Sequence, residues 1–356
     1  VRRTSGAAVL VAALSLHAAA LGDGDLPRKA SFTEAYPGIA VAYGAVAAPG
    51  GPRLRTIVTK PATASGRLPA LFLAGWLSCD SVEAAPGAGG SMPRMLQGLA
   101  SRSGMLFYRL DKPGVGDSEG VCGETDFRTE LEGYRAGFRQ LLGRLDVDRD
   151  RVFVFGWSNG AGFAPLVPEG AKVAGYVVSG GWVKTWFEHM LEFERRTRTL
   201  SGKSPGDVND AMRKVAEFYD LYLHRGLAPG AVAKERPDLA AAYDDEPGRQ
   251  YGRPARFYQE LEELNLARAW SQVDAPVLSI HGEYDFIMSK DDHERIAALV
   301  NARHPGFARF VERPKMDHVF GLQRTAADGM NRMGAGALDE EALALVLGWL
   351  KEHGAR

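Results

Sequence analysis

Arg151-Val152-Phe153-Val154-Phe155, followed at once by Gly156-Trp157-Ser158-Asn159-Gly160, is the stretch that decides the fold. The apolar run reads as a buried strand, and the residues after Gly160 can start a helix. A strand that reverses sharply into a helix holds the middle serine in a strained turn, with its hydroxyl clear of the sheet. Small residues two before and two after it let strand and helix approach closely, and here both are glycine. The helix N-terminus behind the serine favours developing negative charge. Glycine and serine are common in turns, so the five-residue pattern alone is weak. The strand in front of it makes it specific and marks Ser158 as a candidate nucleophile.

A serine nucleophile needs a base, and the base needs an orienting acid. Downstream, Ala275-Pro276-Val277-Leu278-Ser279-Ile280 reads as a buried strand and runs into His281-Gly282-Glu283-Tyr284-Asp285. Asp285 falls where a carboxylate would leave the end of that strand. Phe307 to Val311 reads as a further short strand, and His318 lies on the loop after it.

These segments, in this order, resemble the α/β-hydrolase fold serine hydrolases of the esterase, lipase and aminopeptidase group, in which serine, acid and histidine follow one another along the chain. The resemblance spans nearly everything after the first thirty or so residues. It implies a mostly parallel sheet flanked by helices. It also implies Ser158 as nucleophile, His318 as general base and then general acid, and Asp285 as the group that fixes the histidine tautomer. Glu283 is the alternative acid. His281 reads as a structural hydrogen-bonder, Asp292 and His293 as the solvated start of a helix, and Asp317 as a local turn former.

The chemistry also needs an oxyanion hole. One donor is expected from the backbone N–H of Asn159, after the nucleophile. The other is expected from the loop after the strand Pro69 to Ala74, with Trp76 first and Leu77 second. Many members of the group carry His-Gly there; this chain has Ala74-Gly75, and backbone donors do not need the histidine. Asp111-Lys112-Pro113-Gly114-Val115-Gly116-Asp117-Ser118 resembles a turn common in the same group, whose expected part is to shape the floor beside the elbow. Gly114, Gly116 and Gly120 are spaced one residue too long for a dinucleotide fingerprint. Gly202-Lys203-Ser204 lacks the earlier glycine and the strand of a phosphate loop.

With 356 residues the chain can bury one large α/β core plus an insertion. A net charge of −1 gives no electrostatic case for nucleic acid or an anionic membrane. No zinc spacing and no H-E-x-x-H occur, and neither metal nor cofactor is expected. Val1-Arg2-Arg3, the apolar run Gly6 to Leu16 and Ala18-Ala19-Ala20 read as a secretory signal peptide over residues 1–20, cleaved near Ala20. An uncleaved anchor or an Ala-rich tail is the alternative. The mature protein is then expected in the periplasm or outside the cell, free of the membrane, with its oligomeric state left open. Export and the resemblance together suggest a disulfide between the only two cysteines. Cys79 follows one strand and Cys122 its expected neighbour, both at the catalytic edge. Two buried thiols are the alternative.

Residues 183–271 are too many for a simple connection between strands. They are rich in helix formers and carry Trp186, Phe187, Phe193, Phe218, Tyr219, Tyr222, Tyr251, Phe257 and Tyr258. Val208 to Tyr222 and Phe257 to Trp270 have helical periodicity, and Pro-Gly pairs punctuate at 205–206, 229–230 and 247–248. By resemblance this is a helical cap after the sixth strand, dividing a hydrolase core of residues 21–182 and 272–356, with about a third of its aromatics lining the substrate cavity. Arg195-Arg196-Thr197-Arg198 reads as a solvated face, and Asp339 to Glu352 as a closing helix. The expected partner is a small acyl compound, with a carboxylic ester as first choice. A serine aminopeptidase is second, with Glu260, Glu262 and Glu263 as candidate amine binders. A non-catalytic binding protein on the same fold is the reading from another class.

Overall fold

The protein is described by a computed structural model over residues 26–243 and 249–354. The expected signal peptide at 1–20 lies outside the described residues. The first strands of the described residues, β1 (Ile39–Ala47) and β2 (Arg53–Pro61), form a hairpin. β3 (Leu68–Ala74), α1 (Ser91–Arg102), β4 (Leu106–Leu110), α2 (Phe127–Gly143), β5 (Val147–Trp157), α3 (Asn159–Phe163) and β6 (Gly175–Ser179) follow. The inserted segment holds α4 (Trp186–Leu200), α5 (Pro205–Tyr219) and α6 (Pro229–Glu235). After them come a short ribbon of β7 (Arg249–Gln250) and β8 (Arg253–Pro254), then α7 (Ala255–Glu262) and α8 (Leu266–Ser271). β9 (Val277–Gly282), α9 (Lys290–Arg303), β10 (Ala308–Arg313), α10 (Ala326–Asn331) and α11 (Glu340–Gly354) return to the core.

Eight strands form one sheet in the order β1-β2-β4-β3-β5-β6-β9-β10. β1, β2 and β4 pair antiparallel, and every pairing from β4 onward is parallel. Successive side chains alternate between faces. Ala70, Phe72, Val152 and Val154 join one apolar core, while Leu71, Leu73, Phe153 and Phe155 join the other. Because both faces are covered, the central strands are near-continuous apolar runs. α2, α3 and α9 cover the first face, and α1 and α11 the second. The first core continues without a break into the inserted helices, where Met190, Val215, Phe218, Tyr258 and Leu261 belong to it.

The inserted segment departs from its sequence reading in two places. Phe257 to Trp270 forms two helices, because the Asn265 side chain accepts from the Arg268 N–H at 2.9 Å and caps a fresh start. Arg195 to Arg198 is more than a solvated face: Arg196 Nη1 donates to the carbonyls of Phe286 (2.7 Å) and Ile287 (2.9 Å), tying α4 to the turn after β9. Two of the three Pro-Gly pairs mark boundaries as expected, with Pro205 and Pro229 opening α5 and α6, where the missing N–H is harmless; the pair at 247–248 lies outside the described residues.

Cys79 and Cys122 are bonded, their Cα atoms 6.0 Å apart and 43 residues distant in sequence. The bridge joins the loops that leave the adjacent strands β3 and β4. Closing a loop of that length removes unfolded-state entropy worth about 4 kcal/mol. Replacing both cysteines by serine is therefore expected to lower the unfolding free energy by about that amount in urea titrations of the oxidised protein. A loss below about 1 kcal/mol would contradict a stabilising role.

Candidate active site

β5 ends in the middle of the sheet, and the chain turns at once into α3. Ser158 takes φ 58 and ψ −126, a conformation rare outside glycine. The flanking glycines are required by contact. A Cβ on Gly156 would lie 2.6 Å from the Ala161 Cα, and one on Gly160 would collide with the Ala74 and Gly75 carbonyls. The turn presents the Ser158 hydroxyl to His318, with Oγ 2.8 Å from Nε2. His318 Nδ1 in turn lies 2.8 Å from Asp285 Oδ2. The other oxygen of Asp285 accepts the N–H groups of Ile287 (2.8 Å) and Met288 (2.9 Å). The structure thus brings the three expected residues into one buried hydrogen-bonded chain.

Burial opposes the charge on Asp285, but the His318 imidazole, His281 and the Met288 N–H outweigh it and hold the carboxyl below its usual range. The loop that carries His318 is organised by Asp317, whose carboxylate accepts from the N–H groups of Val319, Gly321 and Gly334 and from Gln323 Nε2, at 2.7 to 3.0 Å. Gly180 lies under the imidazole, where a Cβ would sit 2.7 Å from His318 Cε1.

Asn159 is the first residue of α3, so its N–H belongs to the helix end that has no intrahelical acceptor. Its side chain faces away, accepting from Trp182 Nε1 at 3.1 Å. The loop carrying Trp76 and Leu77 is held from several directions. The Gly160 N–H donates to the Gly75 carbonyl (2.9 Å), and the Gly75 N–H donates to the Tyr134 hydroxyl (3.1 Å). The buried ammonium of Lys112 donates to the carbonyls of Trp76 (2.7 Å) and Ser78. Lys112 therefore ties the turn at 111–118 to the loop that carries Trp76 and Leu77, a task beyond the floor-shaping expected of that turn.

Asp285, not Glu283, meets the histidine. Glu283 is exposed and accepts the Lys315 N–H at 2.8 Å. His281 is buried but has no side-chain hydrogen bond among the described residues. Its Nδ1 lies 3.4 Å from the Glu312 carboxylate and its ring packs on His293, which corrects its reading as a hydrogen-bonder. Asp292 and His293 are fully buried rather than solvated. Asp292 accepts from the N–H groups of Val183 (2.9 Å) and Lys184 (3.2 Å), and His293 Nε2 accepts from the Gly181 N–H (2.9 Å). Both anchor the start of the insertion. Glu260, Glu262 and Glu263 bond Arg128, Arg256, Phe187 and His224, and none lines the space above Ser158.

That space is a cavity of about 340 Å³, walled by Trp76, Trp157, Met288 and Val319 from the core and by Trp186, His189, Met190, Phe193 and Tyr251 from the insertion. Three of the nine aromatics singled out in the insertion reach it: Trp186, Phe193 and Tyr251. His189 was missed, although its signal was present: Trp186, His189, Met190 and Phe193 recur at the spacing of one helix face. Among the described residues no group of three or more His, Cys, Asp or Glu side chains could hold a metal ion.

Burial pushes the imidazoles of His189 and His293 down to about 4. Between pH 6.5 and 4 the unfolded chain binds protons there that the folded chain refuses, so this stabilisation is complete above about pH 6.5 and is lost as pH falls toward 4. Each imidazole accounts for at most about 3 kcal/mol. His189→Phe is expected to remove about one proton from the uptake on unfolding, read from the pH dependence of urea stability in that window. An unchanged pH slope would contradict the burial argument.

No protein-family model matches the chain, and no curated protein matches its sequence. Solved structures do match it. Est1E from Butyrivibrio proteoclasticus, with ferulic acid bound, superposes with a TM-score of 0.54 at 15% identity, over 87% of this chain and 96% of that one. An esterase from Pyrococcus furiosus gives 0.52 at 12% identity, over 88% and 91%. A proline iminopeptidase from Mycobacterium smegmatis gives 0.50 at 18%, over 88% and 99%. Identities this low speak for architecture alone. Taken with the elbow after β5 and the strand order of the sheet, they show that this chain has the α/β-hydrolase fold.

Proposed function

We propose that the protein is a serine hydrolase that cleaves a carboxylic ester through an acyl-enzyme on Ser158. The observation that carries this reading is the buried chain Ser158–His318–Asp285 opening onto an apolar cavity. His318 Nε2 takes the hydroxyl proton as Ser158 Oγ attacks the ester carbonyl carbon. The backbone N–H groups of Asn159 and Trp76 stabilise the tetrahedral oxyanion. The C–O bond to the alcohol breaks, and the alkoxide leaves with the proton from His318. Water, deprotonated by the same imidazole, then attacks the acyl-enzyme, releases the acid and returns the proton to Ser158. Asp285 holds the imidazole in the tautomer that accepts at Nε2 and stabilises its protonated form.

An ester suits the cavity better than a peptide with a free amino terminus. An amine entering an apolar pocket needs a carboxylate to meet it; the three cap glutamates suggested for that work are engaged elsewhere, and the one carboxylate on the cavity wall, Asp80, is exposed and accepts from the Ser78 hydroxyl. The volume and the aromatic walls fit short-to-medium or aromatic esters, not long-chain triglycerides. The N-terminal pattern and the disulfide support export, with a mature chain starting near Leu21 and residues 183–271 acting as the cap over the site. No described helix is long and apolar enough to cross a membrane.

A fluorophosphonate probe is expected to label Ser158, located by peptide mass spectrometry. Ser158→Ala and His318→Ala should each lower kcat on a p-nitrophenyl acyl ester by at least about 10⁴-fold with the fold intact. Near-native turnover by Ser158→Ala would refute the nucleophile. Faster cleavage of an aminoacyl p-nitroanilide than of the ester, lost on N-acetylation, would replace the esterase reading with the peptidase one.

A further inference from the structure

Of the α4 residues that line the cavity, His189 alone is charged or strongly polar, beside Trp186, Met190 and Phe193. His189 is 4% exposed and lines the same cavity as Ser158 and His318, so what remains accessible faces the substrate space. Its ring is wedged among aromatics, with centroids 4.6 Å from Trp186 and 6.4 Å from both Trp182 and Phe193. No described residue hydrogen-bonds either of its nitrogens. His281 is also buried without a hydrogen bond, but its nitrogens are enclosed by protein, whereas those of His189 keep access to the cavity; His293 has both nitrogens bonded, to the Ser289 carbonyl and the Gly181 N–H. A buried imidazole without a partner is disfavoured, and a ligand that supplies one is selected for it.

The chemistry of that ligand follows from the surroundings. Burial keeps the ring neutral at neutral pH, so it offers one N–H donor and one acceptor nitrogen and no charge. No Lys or Arg lines the cavity, so an anion would be desolvated there without a counter-ion. A hydroxyl both donates and accepts, and matches. The rings of Trp76, Trp157, Trp186, Phe193, Tyr251 and Phe286 around the cavity favour an aromatic scaffold for that hydroxyl.

We propose that His189 is a specificity-determining residue that hydrogen-bonds a hydroxyl on an aromatic substrate, so that the enzyme selects esters of hydroxyaryl compounds. This rests on the ester-hydrolase reading of Ser158 and names the substrate class of that site.

The test compares methyl 3-phenylpropanoate with its ortho, meta and para hydroxyl derivatives. In the wild type at least one hydroxyl isomer should exceed the parent in kcat/KM by about tenfold, chiefly through KM. His189→Phe, which keeps a ring and removes its polar atoms, should bring that ratio to about one, and His189→Gln should restore part of it. A second arm measures binding of the same esters to Ser158→Ala by calorimetry, with the same tenfold preference expected. This arm decides alone if His189→Phe does not fold. Equal kcat/KM for all four esters, or a preference that survives in His189→Phe, overturns the assignment while leaving the ester reading intact. No turnover by the wild type, with the binding preference kept, overturns the ester reading and leaves His189 as the hydroxyl-binding residue. Equal binding without turnover overturns both.

Discussion

The backbone at Ser158 is bent where residues with a side chain rarely go, and the active edge is built around that bend. Holding a non-glycine residue there costs on the order of 1–3 kcal/mol. Two neighbouring strands and the turn itself supply the restraint. The Ser158 N–H donates to the Ser179 carbonyl at the end of β6, the Gly160 N–H donates to the Gly75 carbonyl beyond β3, and the Ala161 N–H closes back on the Ser158 carbonyl, each at 2.9 Å. β5 lies between β3 and β6, so the bend is gripped from both sides by the parallel ladder. A hydroxyl on a loop tip would sample many positions. Here its place follows from the register of the sheet, and the histidine and aspartate arrive from the ends of strands in that sheet.

Buried charge extends this grip to the oxyanion loop. Lys112 is fully enclosed, which pushes its ammonium well below its usual range, yet its two carbonyl acceptors lie on the loop that carries Trp76. The same loop ends at Cys79, bonded to Cys122. The Cys122 carbonyl accepts from Arg253 Nη1 at 2.9 Å, and Arg253, on β8 of the insertion, pairs with Glu130 of α2. One continuous path therefore runs from the oxyanion loop through the disulfide into the insertion and back to a core helix. Buried pairs of this kind contribute little net stability, because desolvation offsets their attraction. Their directional bonds fix position, and position is what a preorganised donor requires.

The parts of this arrangement that were legible in the sequence are those with local signatures. The elbow has its strand and its two glycines, the acid follows a strand of buried character and the histidine a short strand of mixed exposure, and the closing helix has its periodicity. Asp292, His293 and Lys112 were misjudged or undervalued for one reason: a charged residue in a polar stretch looks solvated until the elements that bury it are placed. The carbonyls and N–H groups that hold them come from segments up to about a hundred residues away, beyond any local pattern. His189 was hidden differently. Its helix face was readable, but only the superposition of α4 on the edge near Ser158 shows that the face closes a cavity.

The same long-range bonds decide what the insertion can do. An apolar interface tolerates sliding, since dispersion contacts have no preferred direction. The insertion is instead pinned at both ends of α4. Asp292 and His293 hold residues 181–184 at its start, and Arg196 holds the Phe286 and Ile287 carbonyls further along. Those carbonyls belong to the turn whose N–H groups hold Asp285. The cavity wall on α4 and the carboxylate bonded to His318 are thus attached to one short stretch of chain. A shift of α4 large enough to reshape the cavity would pull on the Asp285 turn. The α4 wall of the cavity is therefore held at a set distance from Ser158.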